Sequence, residues 1–275
     1  MTKNKILFAT DFSQKSFKII ENILNYIQHS ENELYIIHVI ENRLLQEKVN
    51  KDITKKKGFK ILKKYFPNLE EKQFFCVEGN VEEQVAYHVD KLVISLVILG
   101  YSKKNDFISR FFESSNTKDI VRNLNTLSLI MKSKKNICFN NILIPTDLSK
   151  ESKDYILEVS KLFPDAKIKI YYSYLLPYER RLNFYSLDKD ETSEFQKEAK
   201  ENSLKNANDF YNSLEIKNKK KLIIKETELS VENFIKDTKD IKTDLIAVHT
   251  TGFFSFFAFY LVEHSKINIL IKKIN

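Results

Sequence analysis

Hydrophobic positions along the chain fall into two alternating patterns. Near-continuous apolar runs of strand length occur in NKILFATDFSQKS (4–16), ELYIIHVI (33–40), QFFCVEGN (73–80), LVISLVILG (92–100) and TLSLIM (126–131). Between them lie polar stretches with apolar residues at helical spacing, such as Phe17, Ile20, Leu24 and Ile27 after the first run, and VEEQVAYHVDKL before the fourth. Strands buried on both faces read as unbroken apolar runs, and their alternation with helices predicts a parallel sheet covered by helices on both sides.

The pattern then starts again. NILIPTDLSKES at 141–152 repeats NKILFATDFSQKS: an apolar run, Thr-Asp-x-Ser, and a helical pattern, with Ser13 or Ser149 as the helix N-cap. The second helix presents Tyr155, Val159 and Leu162, and the runs AKIKIYYSY, KLIIKETE, TDLIAVHT and INILIKK follow, with VENFIKDTKDI as a helix between the second and third. Two domains are expected, 1–137 and 138–275. From Asp147 to His249 the second half is about 13 residues longer than the first is from Asp11 to Gly100, which places an insertion at about 178–214. From His249 to Leu270 it is about eight residues shorter than from Gly100 to Leu129.

Composition adds limits. With 43% hydrophobic and 30% charged residues the chain suits globular packing in both halves. The apolar run before Asp11 is too short for a signal peptide or a spanning helix, so a cytoplasmic protein with no membrane span is expected. Cys76 and Cys138 have neither a CxxC nor a Cys/His spacing, which predicts no disulfide framework and no metal site. The net charge of +8 is concentrated in KKKGFKILKK, KSKK and KNKKK, which read as solvated faces without stacking aromatics, so no nucleic-acid partner is expected.

Two tandem copies of strand, T-D-F/L-S and helix, the His38-Val39 strand end, V-E-G-N before a helix (Val77 to Asn80) and L-V-I-L-G (Leu96 to Gly100) resemble the universal stress protein family over essentially the whole chain. The resemblance implies two flavodoxin-like, Rossmann-like α/β domains, each with a five-stranded parallel sheet. It also implies internal pairing of the two halves through their last strands, as separate copies dimerise. Many members bind ATP through a G-x2-G-x9-G-S/T loop after the fourth strand, with an Asp at the end of the first strand.

That loop works because glycines let successive backbone N–H groups close on an anion. This chain has four glycines, Gly58, Gly79, Gly100 and Gly252, none near another. Laid from Gly100, the pattern puts Lys103 and Glu113 at the later glycine positions and keeps Ser114 at the hydroxyl position. A residue other than glycine at positive φ costs about 1–2 kcal/mol. A carboxylate about 4 Å from a phosphate adds repulsion of about 4 kcal/mol. If the first half holds a nucleotide, the residues implied by the resemblance are Asp11, Val39, Gly100, Ser114 and Ser115. Asp11 reads equally well as a residue that orients the turn. In the second half Asp147, His249 and Gly252 line the corresponding cleft, with His249 in place of the first glycine.

The stretch HTTGFFSFFAFYLVEHSKINILI carries six aromatics between Phe253 and Tyr260. A helix over Phe253 to Val262 is about 15 Å long, half of a bilayer core. Its wide apolar arc predicts burial as core and interdomain packing over the second cleft, with Phe253, Phe254, Phe256, Phe257 and Tyr260 as the alternative contact surface for a second copy or a protein partner. No HExxH, GxSxG or Cys/His pairing occurs among the five histidines, and no enzyme is expected. His38 reads as a packed strand histidine. The function that follows is a non-catalytic regulatory binding module of the stress response, with no cofactor and degenerate phosphate loops. The alternatives are an ATP-binding switch in the first half or a carrier of a small apolar ligand.

Overall fold

The computed structural model describes residues 4–28, 31–40, 50–100, 124, 126–132, 139–176, 189–250 and 254–274, of which 189–191 and 254–255 as backbone only. In chain order these form β1 (Lys5–Ala9), α1 (Gln14–Ile27), β2 (Glu33–Ile40), α2 (Lys51–Tyr65), β3 (Phe74–Glu78), α3 (Val81–Leu92), β4 (Leu96–Gly100) and β5 (Leu127–Met131). The repeat supplies β6 (Asn141–Pro145), α4 (Lys150–Leu162), β7 (Lys167–Tyr174), α5 (Lys189–Asn212), β8 (Lys219–Glu226), α6 (Val231–Thr238), β9 (Leu245–Thr250), α7 (Phe254–His264) and β10 (Asn268–Lys273). The chain divides into two compact units: Met1–Cys138 with Thr250–Gly252 and Lys266–Asn275, and Phe139–His249 with Phe253–Ser265.

In the first unit the strands lie in the order β3-β2-β1-β4-β5-β10. The first five run parallel, as the unbroken apolar runs predict. β10 runs antiparallel to β5, with Ile269 opposite Ile130 and Leu270 opposite Leu129. The run INILIKK is therefore a strand, and its antiparallel partner is the last strand of the first half. Lys132 N donates to Asn268 Oδ1 at 2.9 Å beside this pairing. All five residues of β5 are buried, so an open edge there would expose apolar surface and unpaired backbone together. In the second unit the order is β9-β6-β7-β8, all parallel.

The helices follow their polar–apolar pattern with two differences. On α1 the buried stripe is Ile19, Ile20, Ile23 and Ile27, while Phe17 and Leu24 are half-buried. Phe17 instead stacks on Tyr65 at 4.8 Å between centroids, at the end of α2. The expected strand at 92–100 begins only at Leu96, because Leu92 ends α3 and Val93 caps it in the left-handed region at φ 54°. α4 buries Tyr155 and Val159 as expected, buries Ile156 in addition, and leaves Leu162 half-buried. α5 spans 24 residues against 15 for α2, which accounts for part of the extra length of the second half.

The aromatic stretch forms α7, and the described side chains divide between two surroundings. Phe257 is 4% exposed and meets Phe234 of α6 edge-on at 5.4 Å, with Ala258, Leu261 and Val262 also buried. Phe256 is 73% exposed and Tyr260 42%. One face is core, where burying each large side chain stabilises by about 1.5–3 kcal/mol. The other face is surface. The side chains of Phe253 and Phe254 lie outside the described residues. Among the described residues no helix is long and apolar enough to cross a membrane.

Candidate functional site

In each unit the chain leaves the first strand toward one side of the sheet and later returns to its other side, so the strand order switches between β1 and β4 and between β6 and β9. Ligands of such sheets bind outside the carboxyl ends of the strands at that switch. There the Thr-Asp-x-Ser turn stands, and each residue of it has a local task. Thr10 Oγ1 accepts from Phe12 N at 3.1 Å, and Asp11 Oδ1 accepts from Ser13 N at 2.9 Å. Ser13 then caps α1 by accepting from Ser16 N at 3.2 Å. The repeat is the same to within 0.1 Å: Leu148 N to Thr146 Oγ1 at 3.0 Å, Ser149 N to Asp147 Oδ1 at 3.0 Å, Ser152 N to Ser149 Oγ at 3.1 Å. Phe12 and Leu148 sit at φ 59° and 65°, a left-handed conformation that branched or bulky residues adopt only when the surroundings fix it.

Both aspartates are held by a further serine one helical turn on. Ser16 Oγ donates to Asp11 Oδ1, and Ser152 Oγ donates to Asp147 Oδ1 at 2.6 Å. Ser149 Oγ adds a third donor to Asp147 Oδ1 at 2.6 Å. Burial pulls both carboxyls up, but these serine hydrogen bonds outweigh it and hold each pKa below the ordinary aspartate value. His38 is half-buried rather than core. Its Nδ1 lies 2.9 Å from Thr10 O, and because a carbonyl only accepts, that nitrogen carries the proton.

The halves part at Gly100. Ile6 pairs with Leu96 in the first unit and Ile142 with Leu245 in the second, so counting along β4 and β9 makes His249 the counterpart of Gly100. A Cβ added at Gly100 would stand 3.0 Å from Ile19 Cδ1. The residue matching Ile19 on α4 is Tyr155, and its ring meets the His249 ring edge-on at 5.6 Å. The His249 side chain is 0% exposed, and its Nε2 lies 2.7 Å from Ser152 Oγ. Where the first half has a glycine, the second half has an imidazole locked into the core.

Hydrogen counting sets the polarity of this contact. Ser152 has one hydroxyl hydrogen and spends it on the ionised Asp147, so His249 Nε2 carries a proton and donates it to Ser152 Oγ. Burial lowers the His249 pKa, with Asp147 and Glu151 pulling weakly the other way, so the ring is neutral at pH 7. A serine nucleophile needs its hydroxyl proton aimed at a base. Here the proton points at the carboxylate, and Ser152 is itself buried. Burial likewise pushes the Tyr155 hydroxyl well above its ordinary value. Three residues chosen from sequence, Asp11, Val39 and Gly100, do gather at the carboxyl ends of β1, β2 and β4. Asp147 and His249 are joined through Ser152, which sequence reasoning missed. Its signal was the shared Ser-x-x-Ser of SQKS and SKES. Ser114, Ser115, Gly252, Lys103 and Glu113 lie outside the described residues. Among the described residues no cluster of His, Cys, Asp or Glu is placed to hold a metal ion.

Solved structures share this fold across the whole chain. A protein of unknown function from Pseudomonas aeruginosa PAO1 matches 99% of this chain and 93% of its own, at 10% identity and a TM-score of 0.64. A universal stress protein from Archaeoglobus fulgidus DSM 4304 matches 99% of each chain at 15% identity and a TM-score of 0.58. No curated protein matches the chain by sequence. The universal stress protein family matches residues 3–131. That stretch belongs to the universal stress protein family. The universal stress protein domain so matched ends at Met131, the last residue of β5, and includes the Asp11 turn and Gly100. The second half repeats its turn down to the two left-handed residues.

Proposed function

We propose that the chain is a tandem universal stress protein acting as a non-catalytic regulatory module, in which neither half holds ATP in the phosphate-loop manner of the family. The observation that carries this reading is the buried His249 side chain, fixed by Ser152 and packed on Tyr155 in the place where the first half keeps a glycine. A ligand seated against the end of β9 would have to displace that ring and break the Ser152 contact. Both aspartates are already engaged by serine donors of their own turn. Nothing in the trio of Ser152, His249 and Asp147 is arranged for turnover. The outward Phe256 and Tyr260 supply the regulatory contact surface, for a second copy or a protein partner.

One observation favours a second reading, an adenine-nucleotide switch confined to the first half. Gly100 has no side chain to close the crevice beside Asp11, so the closure seen in the second half is not repeated there. Isothermal titration of the full chain with ATP and Mg²⁺ separates the two. The expected result is no binding at micromolar concentrations. Micromolar binding that disappears in Asp11→Ala overturns the first reading and establishes the second.

A further inference from the structure

The opposite end of the second unit carries a group of lysines that the site above does not use. Lys167 and Lys169 stand two residues apart on β7 and therefore share a sheet face. Lys169 is directly paired with Lys221 of β8, beside a register shift between Ile168 and Lys169. Like charges placed opposite each other destabilise a strand pair. Lys169 Nζ donates to the carbonyl oxygen of Lys242 at 2.6 Å, which brings the segment before β9 to the same place. Asp244 is the carboxylate that faces Lys169, and its Oδ2 already accepts from Asn141 N and Nδ2 at 2.9 Å each. Burial lowers the Lys169 pKa, Asp244 offsets part of this, and Lys221, Lys242 and Lys167 lower it further. Lys219 is turned away, donating to the carbonyls of Tyr211 and Leu214 beneath the Tyr211 ring.

We propose that Lys167, Lys169, Lys221 and Lys242 form a binding site for a compact anion carrying several phosphate charges. Ammonium groups act as point charges without the planar fork of arginine, so they select charge density rather than a particular bidentate shape. A phosphate-rich anion bridging the four relieves the repulsion between Lys169 and Lys221. The source of the phosphates is a soluble polyphosphate, and the experiment separates it from a lipid surface.

The probe is inorganic tripolyphosphate, which has no nucleoside for the Asp11 region to recognise, titrated into the full chain by calorimetry. Lys221→Gln combined with Lys242→Gln should weaken binding about tenfold or more, since two attractions at close range are removed. Lys57→Gln, an exposed lysine of α2, should leave it unchanged. Binding should also fall as salt is raised to about 0.5 M, where the screening length drops below the spacing of the charges. Urea unfolding of the variants checks that they remain folded. No tripolyphosphate binding, or an equal loss in Lys57→Gln, overturns the site. Lysine-dependent capture by phosphatidylglycerol vesicles without tripolyphosphate binding also overturns it, in favour of a membrane surface.

Discussion

Replacing His249 with alanine tests whether the second half closes its cleft with its own core. Three contributions are lost. The hydrogen bond from Nε2 to Ser152 at 2.7 Å contributes about 1 kcal/mol net. The edge-on contact with Tyr155 contributes about 0.5–1.5 kcal/mol. Removing a buried ring leaves a cavity, and large-to-small core changes as a class cost about 2–5 kcal/mol, a figure that overlaps the first two. Ser152 keeps Asp147 as the acceptor for its proton, so the Ser152 hydroxyl hydrogen is not orphaned and the lower half of that range applies. The expected loss is about 3 kcal/mol, or a fall in Tm of about 6–12 °C at the 2–4 °C per kcal/mol usual for chains of 150–250 residues. Urea unfolding followed by circular dichroism reads it directly. A loss below about 1 kcal/mol would show that the ring does not fill the cleft, and the inference that the second half excludes a ligand would fall with it.

Stability should also depend on pH through the same ring. The folded pKa of His249 lies below its unfolded value of about 6.5, so the unfolded chain takes up the proton first. Stability is then complete above about pH 6.5 and is lost as pH falls below it. His88 is depressed by burial and acts with the same sign, so His249→Ala should flatten, not abolish, the decline between pH 7 and 5.5; an unchanged slope would exclude His249 as a contributor. Ser152→Ala strands the His249 proton and should cost about 1–3 kcal/mol, whereas Ser16→Ala removes a donor from Asp11 and a long contact from the half-exposed Ser13 hydroxyl and should cost about 1 kcal/mol. Equal costs in urea unfolding would contradict the assignment of the Nε2 proton. Phe257→Ala should cost about 3–5 kcal/mol. Phe256→Ser should stay within about 0.5 kcal/mol, and the reverse order would mean that α7 presents its other face.

The Thr-Asp-x-Ser turn was legible in the sequence because the Thr, Asp and Ser side chains each bond within a few residues, so local spacing fixes local structure. The strand alternation was legible for a similar reason: residues buried on both faces leave an unbroken apolar run. Facing was harder. α1 shows Phe17, Ile20, Leu24 and Ile27 at good helical spacing, yet Phe17 finds Tyr65 across the surface and the core takes Ile19 and Ile23 instead. α7 is apolar nearly all round, so its sequence has no preferred side, and the choice is made by Phe234 on another helix. Ser152 was hidden because a serine inside a helix looks like a solvent position until a strand more than ninety residues away brings His249 against it.

The two halves serve as each other's reference state. Their turns agree in backbone hydrogen bonds and in the left-handed φ at Phe12 and Leu148, so the backbone of the turn is not what distinguishes the described parts of their clefts. Among the described residues the halves part at two matched positions, glycine against histidine and isoleucine against tyrosine. Those two changes are coupled physically, since a Cβ at Gly100 would press on Ile19 at 3.0 Å, while Tyr155 offers the His249 ring an edge to pack on. A histidine introduced alone would meet a clash with Ile19, and a tyrosine alone would leave its ring without that partner. At the end of β9 the second unit therefore carries a buried imidazole where the first has a glycine, with Ser152 accepting from that ring and passing its own proton to the same aspartate that the turn already requires.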